Sequence, residues 1–208
     1  MDLAKASKYL AASLLLFTLV GDTTEACKCA SEHPQEAFCS YDVMLRVKFM
    51  ESGRINNNFK IIKVYKGPEE AQDVHYVGTQ TIPGLCEYHY QVDHTDEYII
   101  AGELDGDTVW LSVCAFLKRW SWITPEQRRG FTSEYSKGCS CSIVWGHSEG
   151  SISSNECVWT YQRLPTNLRD FQYKHMVCLP QVEKGGMCTW KSLGTLEPGS
   201  FRKRRLTQ

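Results

Sequence analysis

Ten cysteines, at 27, 29, 39, 86, 114, 139, 141, 157, 178 and 188, restrict this chain more than any other feature. An even count in a secreted chain reads as five disulfides, because oxidising compartments keep such bonds formed. Ten cysteines pair in 945 ways, so the count alone chooses no connectivity. Zinc is the competing reading. Yet no C-x-x-C knuckle is present, and the two C-x-C pairs set adjacent thiolates awkwardly for a tetrahedral site.

Residues 1–26 supply the ground for secretion. Lys5 and Lys8 precede the apolar run YLAASLLLFTLVG, which ends in the small residues of TTEA. That order describes a signal peptide too short to span a membrane, with cleavage after Ala26. A buried N-terminal helix is the alternative, but it would show a polar face. Cleavage leaves 182 residues, 208 less 26, with Cys27 at the new amino terminus and no segment apolar enough for a membrane span. It removes two basic and three acidic residues from totals of 23 and 24, leaving 21 of each. A balanced chain offers no general basic excess for nucleic acid. No N-x-S/T acceptor is present.

Alternation in SYDVMLRVKFM sets Val43, Leu45, Val47 and Phe49 on one face of a strand, with Asp42, Arg46 and Lys48 mostly on the other. ESGRINNN reads as a polar hairpin tip before a second strand in NFKIIKVYK. Further strands are expected in VHYVGTQ, EYIIAGE and TVWLSVC, the last two joined by the turn LDGD. Five such strands indicate a small antiparallel barrel or sandwich. Thr124, Pro125 and Gln127 form a capping-box start for a helix in ITPEQRRGFTSEYS. A shorter helix is expected through HPQEAFC, turning Ala37 and Phe38 inward, and another near PTNLRDFQYKHM. SIVWGHSEGSISSNE, with five serines and two glycines, reads as loop at the start of a small second domain that depends on its own disulfides. The tail FRKRRLTQ holds four consecutive basic residues, a solvated end or a site for acidic glycans.

Catalysis finds no support. HExxH, GxSxG and a Gly-rich phosphate loop are absent, and the six histidines lack metal-ligand spacing. DHTDE, residues 93–97, places carboxylates beside His94 but reads as a polar turn. The new amino terminus offers other chemistry. Its α-amine, with a pKa of about 7.7–8.0, and the carbonyl of the same residue can close a five-membered chelate on a metal. Such a chelate suits the open position of a catalytic zinc in another protein. A plain disulfide staple at Cys27 is the competing reading.

The motif C-K-C-A-x-x-H-P-Q-E-A-F-C, then VMLRVK, IKVYKG, EYIIAG, QRRGFT with Tyr135, GCSC and CLPQVEKGGMCTW, resembles the tissue inhibitors of metalloproteinases over nearly the whole mature chain. The resemblance implies a mainly β fold with flanking helices. Residues 27–139 would form a netrin-like, five-stranded OB-fold barrel, and residues 140–208 a small disulfide-bonded C-terminal domain. It implies a secreted inhibitor, not an enzyme, with no cofactor of its own. Cys27 would bind the zinc of a matrix metalloproteinase or related endopeptidase in a 1:1 complex. Lys28 would enter the specificity pocket, Cys29, Ala30 and Ser31 would continue the contact, and Pro83, Gly84 and Leu85 would form the other half of the wedge. The implied disulfides are Cys27–Cys86, Cys29–Cys114, Cys39–Cys139, Cys141–Cys188 and Cys157–Cys178.

Two departures from the family stand out. Thr or Ser is usual where this chain has Lys28, whose ammonium enters an apolar pocket at a desolvation cost. The family carries twelve cysteines, and the pair missing here falls within SIVWGHSEGSISSNE, which is expected to be looser. ESGRINNN is also short for the family. A non-inhibitory extracellular netrin-like module for a receptor, growth factor or matrix glycan is the alternative function.

Overall fold

The alternation at residues 43–49 forms strand β1, Val43–Phe49, in a computed structural model that describes residues 29, 31–50, 56–79, 92–146, 153–160 and 166–194. The expected signal segment, residues 51–55 of the expected hairpin tip, residues 80–91 and the basic tail lie outside the described residues. β1 pairs antiparallel with β2, Asn56–Lys66, and with β4, Glu97–Asp105. β3, Tyr76–Thr79, joins β2, and β5, Thr108–Leu111, joins both β3 and β4. The pairings close a five-strand ring in the order β1-β2-β3-β5-β4. Val43, Leu45, Val47 and Phe49 meet Phe59, Val77, Ile100, Val109 and Leu111 in one apolar cluster lined by these strands. Each such side chain removed from water contributes about 1.5–3 kcal/mol.

Sequence and structure part in several places. β2 already begins at Asn56, so the three asparagines are ladder residues paired with Tyr76–Gly78 rather than a turn. β3 and β5 run parallel, not antiparallel as expected of every neighbour. TVWLSVC is strand only to Leu111, and the turn after β4 is shorter than LDGD, resting on Gly106 at φ +59°. A sixth strand, β6, Leu117–Arg119, extends the sheet beside β4. Three residues carry too little periodicity to reveal it.

The outer side of β1 and β4 is covered too. Met44, Ile99 and Ala101 pack with Phe38, Phe116, Trp120, Phe131 and Tyr135, and the same cluster takes in Val177 and Leu193 from the end of the chain. Helix α1, Pro34–Ser40, supplies Ala37 and Phe38 as expected. Carbonyls at its end are met by one cation: Lys66 Nζ donates to the carbonyl oxygens of Phe38 at 2.9 Å and Cys39 at 3.1 Å, and to that of Tyr41. A lysine there satisfies orphan acceptors and opposes the helix dipole. Helix α2, Pro125–Arg129, starts with both reciprocal bonds of the capping box, Gln127 N–H to Thr124 Oγ1 and Thr124 N–H to Gln127 Oε1. It runs on through a π turn, Gly130–Glu134, where the Tyr135 ring folds back so closely that a Cβ on Gly130 would lie 2.3 Å from it.

Beyond Cys141 the expected Ser/Gly loop is partly a strand. β7, Ser142–Gly146, pairs parallel with β8, Glu156–Thr160. Helix α3, Thr166–His175, leads straight into β9, Met176–Gln181, which forms a hairpin with β10, Met187–Ser192. Cys141–Cys188 and Cys157–Cys178 tie these pieces together around buried Ile143 and Trp159.

Candidate functional site

Of the residues proposed from sequence, the structure describes Cys29 and Ser31; Cys27, Lys28, Ala30, Pro83, Gly84 and Leu85 lie outside the described residues, as does the Cys27–Cys86 pair. Cys29 is exposed and bonded to Cys114, 85 residues away, with its Sγ 3.6 Å from the Val113 carbonyl oxygen. Closing a loop of that length stabilises the fold by about 4–5 kcal/mol in the chain-entropy description. The other described disulfides, Cys39–Cys139, Cys141–Cys188 and Cys157–Cys178, coincide with pairs implied by the family.

Two residues past Ser31 the chain dives inward at His33, which is fully buried. Its Nδ1 accepts the Gln35 N–H at 3.2 Å as the N-cap of α1, and its Nε2–H donates to the Gln172 carbonyl oxygen at 3.2 Å. These two partners require the neutral Nε2–H tautomer. The rings of Trp159, Trp190, Tyr173 and Tyr135 surround the imidazole at centroid distances of 5.2–6.4 Å. Two residues on, Gln35 is also buried, and its amide makes three bonds. Nε2 donates to the carbonyl oxygens of Cys178 at 2.8 Å and Gly138 at 3.0 Å, and Oε1 accepts the Cys178 N–H at 2.7 Å. At Gly138 a Cβ would lie 2.2 Å from the Cys178 oxygen, so only glycine admits this approach.

The same logic holds α3. The last four carbonyls of a helix have no partner within it. Here Gln172 O accepts from His33, Tyr173 O from Gln127 Nε2 at 3.0 Å, Lys174 O from Thr124 Oγ1 at 2.9 Å, and His175 O from the Leu193 N–H at 2.7 Å. Three of those donors are side chains of the capping residues of α1 and α2. His33 is therefore anchored to the end of α3.

The electrostatics of this segment are divided. Burial lowers the His33 pKa to about 4, so the ring stays neutral. Burial, with Glu36 nearby, raises the Glu32 carboxyl to about 7, and burial raises Glu36 as well. The two neighbours have opposite effects on stability. The unfolded chain binds a proton at His33 that the fold refuses between pH 6.5 and 4, so that contribution is full above 6.5 and lost as pH falls, on the order of 3 kcal/mol. Glu32 binds its proton more readily folded than unfolded between pH 4.5 and 7, so its contribution increases as pH falls. Glu32→Gln is expected to unmask His33: urea midpoints of the variant should fall steadily from pH 6.5 to 4, more steeply than those of the wild type. Parallel curves would remove the offset.

Two further candidates close. Asp93 Oδ1 accepts from the Thr95 N–H at 2.9 Å and hydroxyl at 2.7 Å, which lowers its pKa, and Asp93, His94 and Thr95 are exposed. Residues 93–96 form the expected turn, while the half-buried carboxylates of Asp96 and of Glu97, the first residue of β4, pair with Arg119 and Arg46. The Sγ atoms of Cys141, Cys178 and Cys188 lie within 4.8 Å of one another, a spacing a metal could use. All three are spent in disulfides and offer no thiolate. Sequence reasoning missed His33 and Gln35, since neither residue type normally signals a buried clamp. Position 33, directly before a proline at the first helical position, was the one available hint.

Comparison with known proteins follows the same span. The family model described as "Tissue inhibitor of metalloproteinase" matches residues 25–190. The chain is 33% identical to metalloproteinase inhibitor 3 of Scyliorhinus torazame over 181 residues, 82% of this chain and 83% of the relative. It is 31% identical to metalloproteinase inhibitor 2 of Homo sapiens over 207 residues, covering 91% and 92%. Against metalloproteinase inhibitor 4 of Mus musculus the identity is 30% over 182 residues, covering 80% of each.

Proposed function

We infer the function from one premise, that this chain belongs to the tissue inhibitor of metalloproteinase family, whose members are inhibitors and not enzymes. The chain is then a secreted inhibitor of zinc metalloendopeptidases of the matrix metalloproteinase type. Removal of residues 1–26 frees the α-amine of Cys27, which chelates the target's catalytic zinc together with the Cys27 carbonyl. Lys28 enters the specificity pocket, Cys29, Ala30 and Ser31 run along the cleft, and Pro83, Gly84 and Leu85 fill its other side. The ring of five strands is the OB-type barrel of residues 27–139, with residues 140–208 as the smaller domain. The basic tail is a candidate contact for matrix glycans.

The family match through residues 25–190 carries this reading, because it includes the C-K-C opening. Physical support comes from the tether at Cys29 and the buried clamp at His33, which hold the segment after Cys27 before any partner arrives. Binding then has little ordering entropy to overcome. Titrating a matrix metalloproteinase catalytic domain with the secreted protein, its amino terminus checked by mass spectrometry, should remove activity at a 1:1 ratio. A protein that starts at Cys27 and leaves activity intact would overturn the reading. In the same assay Lys28→Thr should tighten inhibition of enzymes with apolar pockets by about tenfold, since an ammonium no longer has to be desolvated. Equal affinities across a panel would exclude a role for Lys28.

A further inference from the structure

The sulfur atoms of the C-terminal part sit closer together than two independent disulfides require. Sγ of Cys178, from Cys157–Cys178, lies within 4.8 Å of both Sγ atoms of Cys141–Cys188. The strand register shows what the two bonds join. Cys141 stands two residues before Ile143, the β7 partner of Cys157 on β8, and Cys188 stands two residues before Trp190, the β10 partner of Cys178 on β9. Both bonds therefore run from one two-stranded ribbon to the other, while each cysteine also has a diagonal neighbour within its own ribbon. The same four sulfurs can close across the ribbons or inside them. Burial orders their access: Cys141 is 9% exposed, Cys188 6%, Cys157 3% and Cys178 0%.

We propose that this cluster is a disulfide-exchange switch, in which a small external thiol such as glutathione converts Cys141–Cys188 and Cys157–Cys178 into the within-ribbon pairs Cys141–Cys157 and Cys178–Cys188. The incoming thiolate attacks Cys141 Sγ, the most accessible of the four, and Cys188 leaves as thiolate. Cys188 then attacks the neighbouring Cys178 Sγ and expels Cys157 as thiolate. Cys157 displaces the thiol from Cys141, so the thiol is regained and nothing is oxidised or reduced overall. Gln35 holds the Cys178 N–H and carbonyl throughout, which keeps the strand in place while its sulfur changes partner. The exchange opens the loop that Cys157–Cys178 closes around α3. Because α3 carries the carbonyl that anchors His33, the switch sets how firmly the C-terminal part is tied to the segment after Cys29. No protease takes part, so the exchange is separate from the zinc-directed function.

The wild-type protein, held in a glutathione redox buffer, acid-quenched and alkylated, is mapped for disulfides by mass spectrometry. Peptides joined through Cys178–Cys188 should reach an abundance within about tenfold of the native pairs. Native pairs alone, whether or not Cys141 carries glutathione, would overturn the switch. Scrambling that spread equally to Cys29–Cys114 and Cys39–Cys139 would mark general unfolding and overturn it as well. Cys157→Ser gives a second measure without any reductant, since it leaves one sulfur over. The free thiol of that variant should be found on Cys141 and Cys188 as well as on Cys178; a thiol confined to Cys178 would contradict the exchange.

Discussion

Adding a single alanine ahead of Cys27 should reduce inhibition of a matrix metalloproteinase by a thousandfold or more. The extension turns a basic primary amine into an amide nitrogen, which has no lone pair to give a zinc ion, and places an extra residue where the metal must sit. Losing a metal contact removes several kcal/mol of binding, and about 4 kcal/mol corresponds to a thousandfold. The change is confined to the end of the chain. Cys29–Cys114, the His33 clamp and the core are untouched, so melting behaviour and disulfide mapping should match the parent. Inhibition constants of the two forms, each with its amino terminus verified, decide the matter: equal values sink the chelation mechanism.

Gln35→Leu should be among the most damaging single changes available outside the cysteines. Leucine fits a site of similar size but offers no polar atom. The Cys178 N–H, the Cys178 carbonyl and the Gly138 carbonyl then lose the partners that Gln35 supplies at 2.7–3.0 Å. Gly138 O keeps the Cys141 N–H at 2.9 Å, so the Cys178 N–H and carbonyl bear the loss; at about 1–3 kcal/mol for each buried group left without a bond, the total is roughly 2–6 kcal/mol, a large part of a typical domain's stability. Urea unfolding of the oxidised protein provides the measurement. A loss under about 1 kcal/mol would show that the amide is not the clamp its geometry describes.

Much of this fold was legible because its signals are local. The period-two pattern of Val43, Leu45, Val47 and Phe49 needs only the chain itself to be read, as does the Thr124–Gln127 capping box. Other features depend on contacts distant in sequence. Nothing near Tyr76 announces a parallel partner at Thr108, and Ile143 and Trp145 sit in a stretch whose serines and glycines conceal a strand. At the site, Cys29 was readable from spacing and from family resemblance. His33 and Gln35 were not, because their partners are residues 172 and 178, 139 and 143 positions away.

The caps on α3 also bear on how such a chain can be rebuilt. A helix whose terminal acceptors are filled by His33, Gln127 and Thr124 cannot be swapped for a foreign segment like a bead on a string. Any graft in place of the last third would have to present acceptors at the same three points, or strand those side chains in a dry interior. The C-terminal part is in this sense an inherited companion of the first, and recombination between distant relatives should succeed only where both sides of that seam travel together.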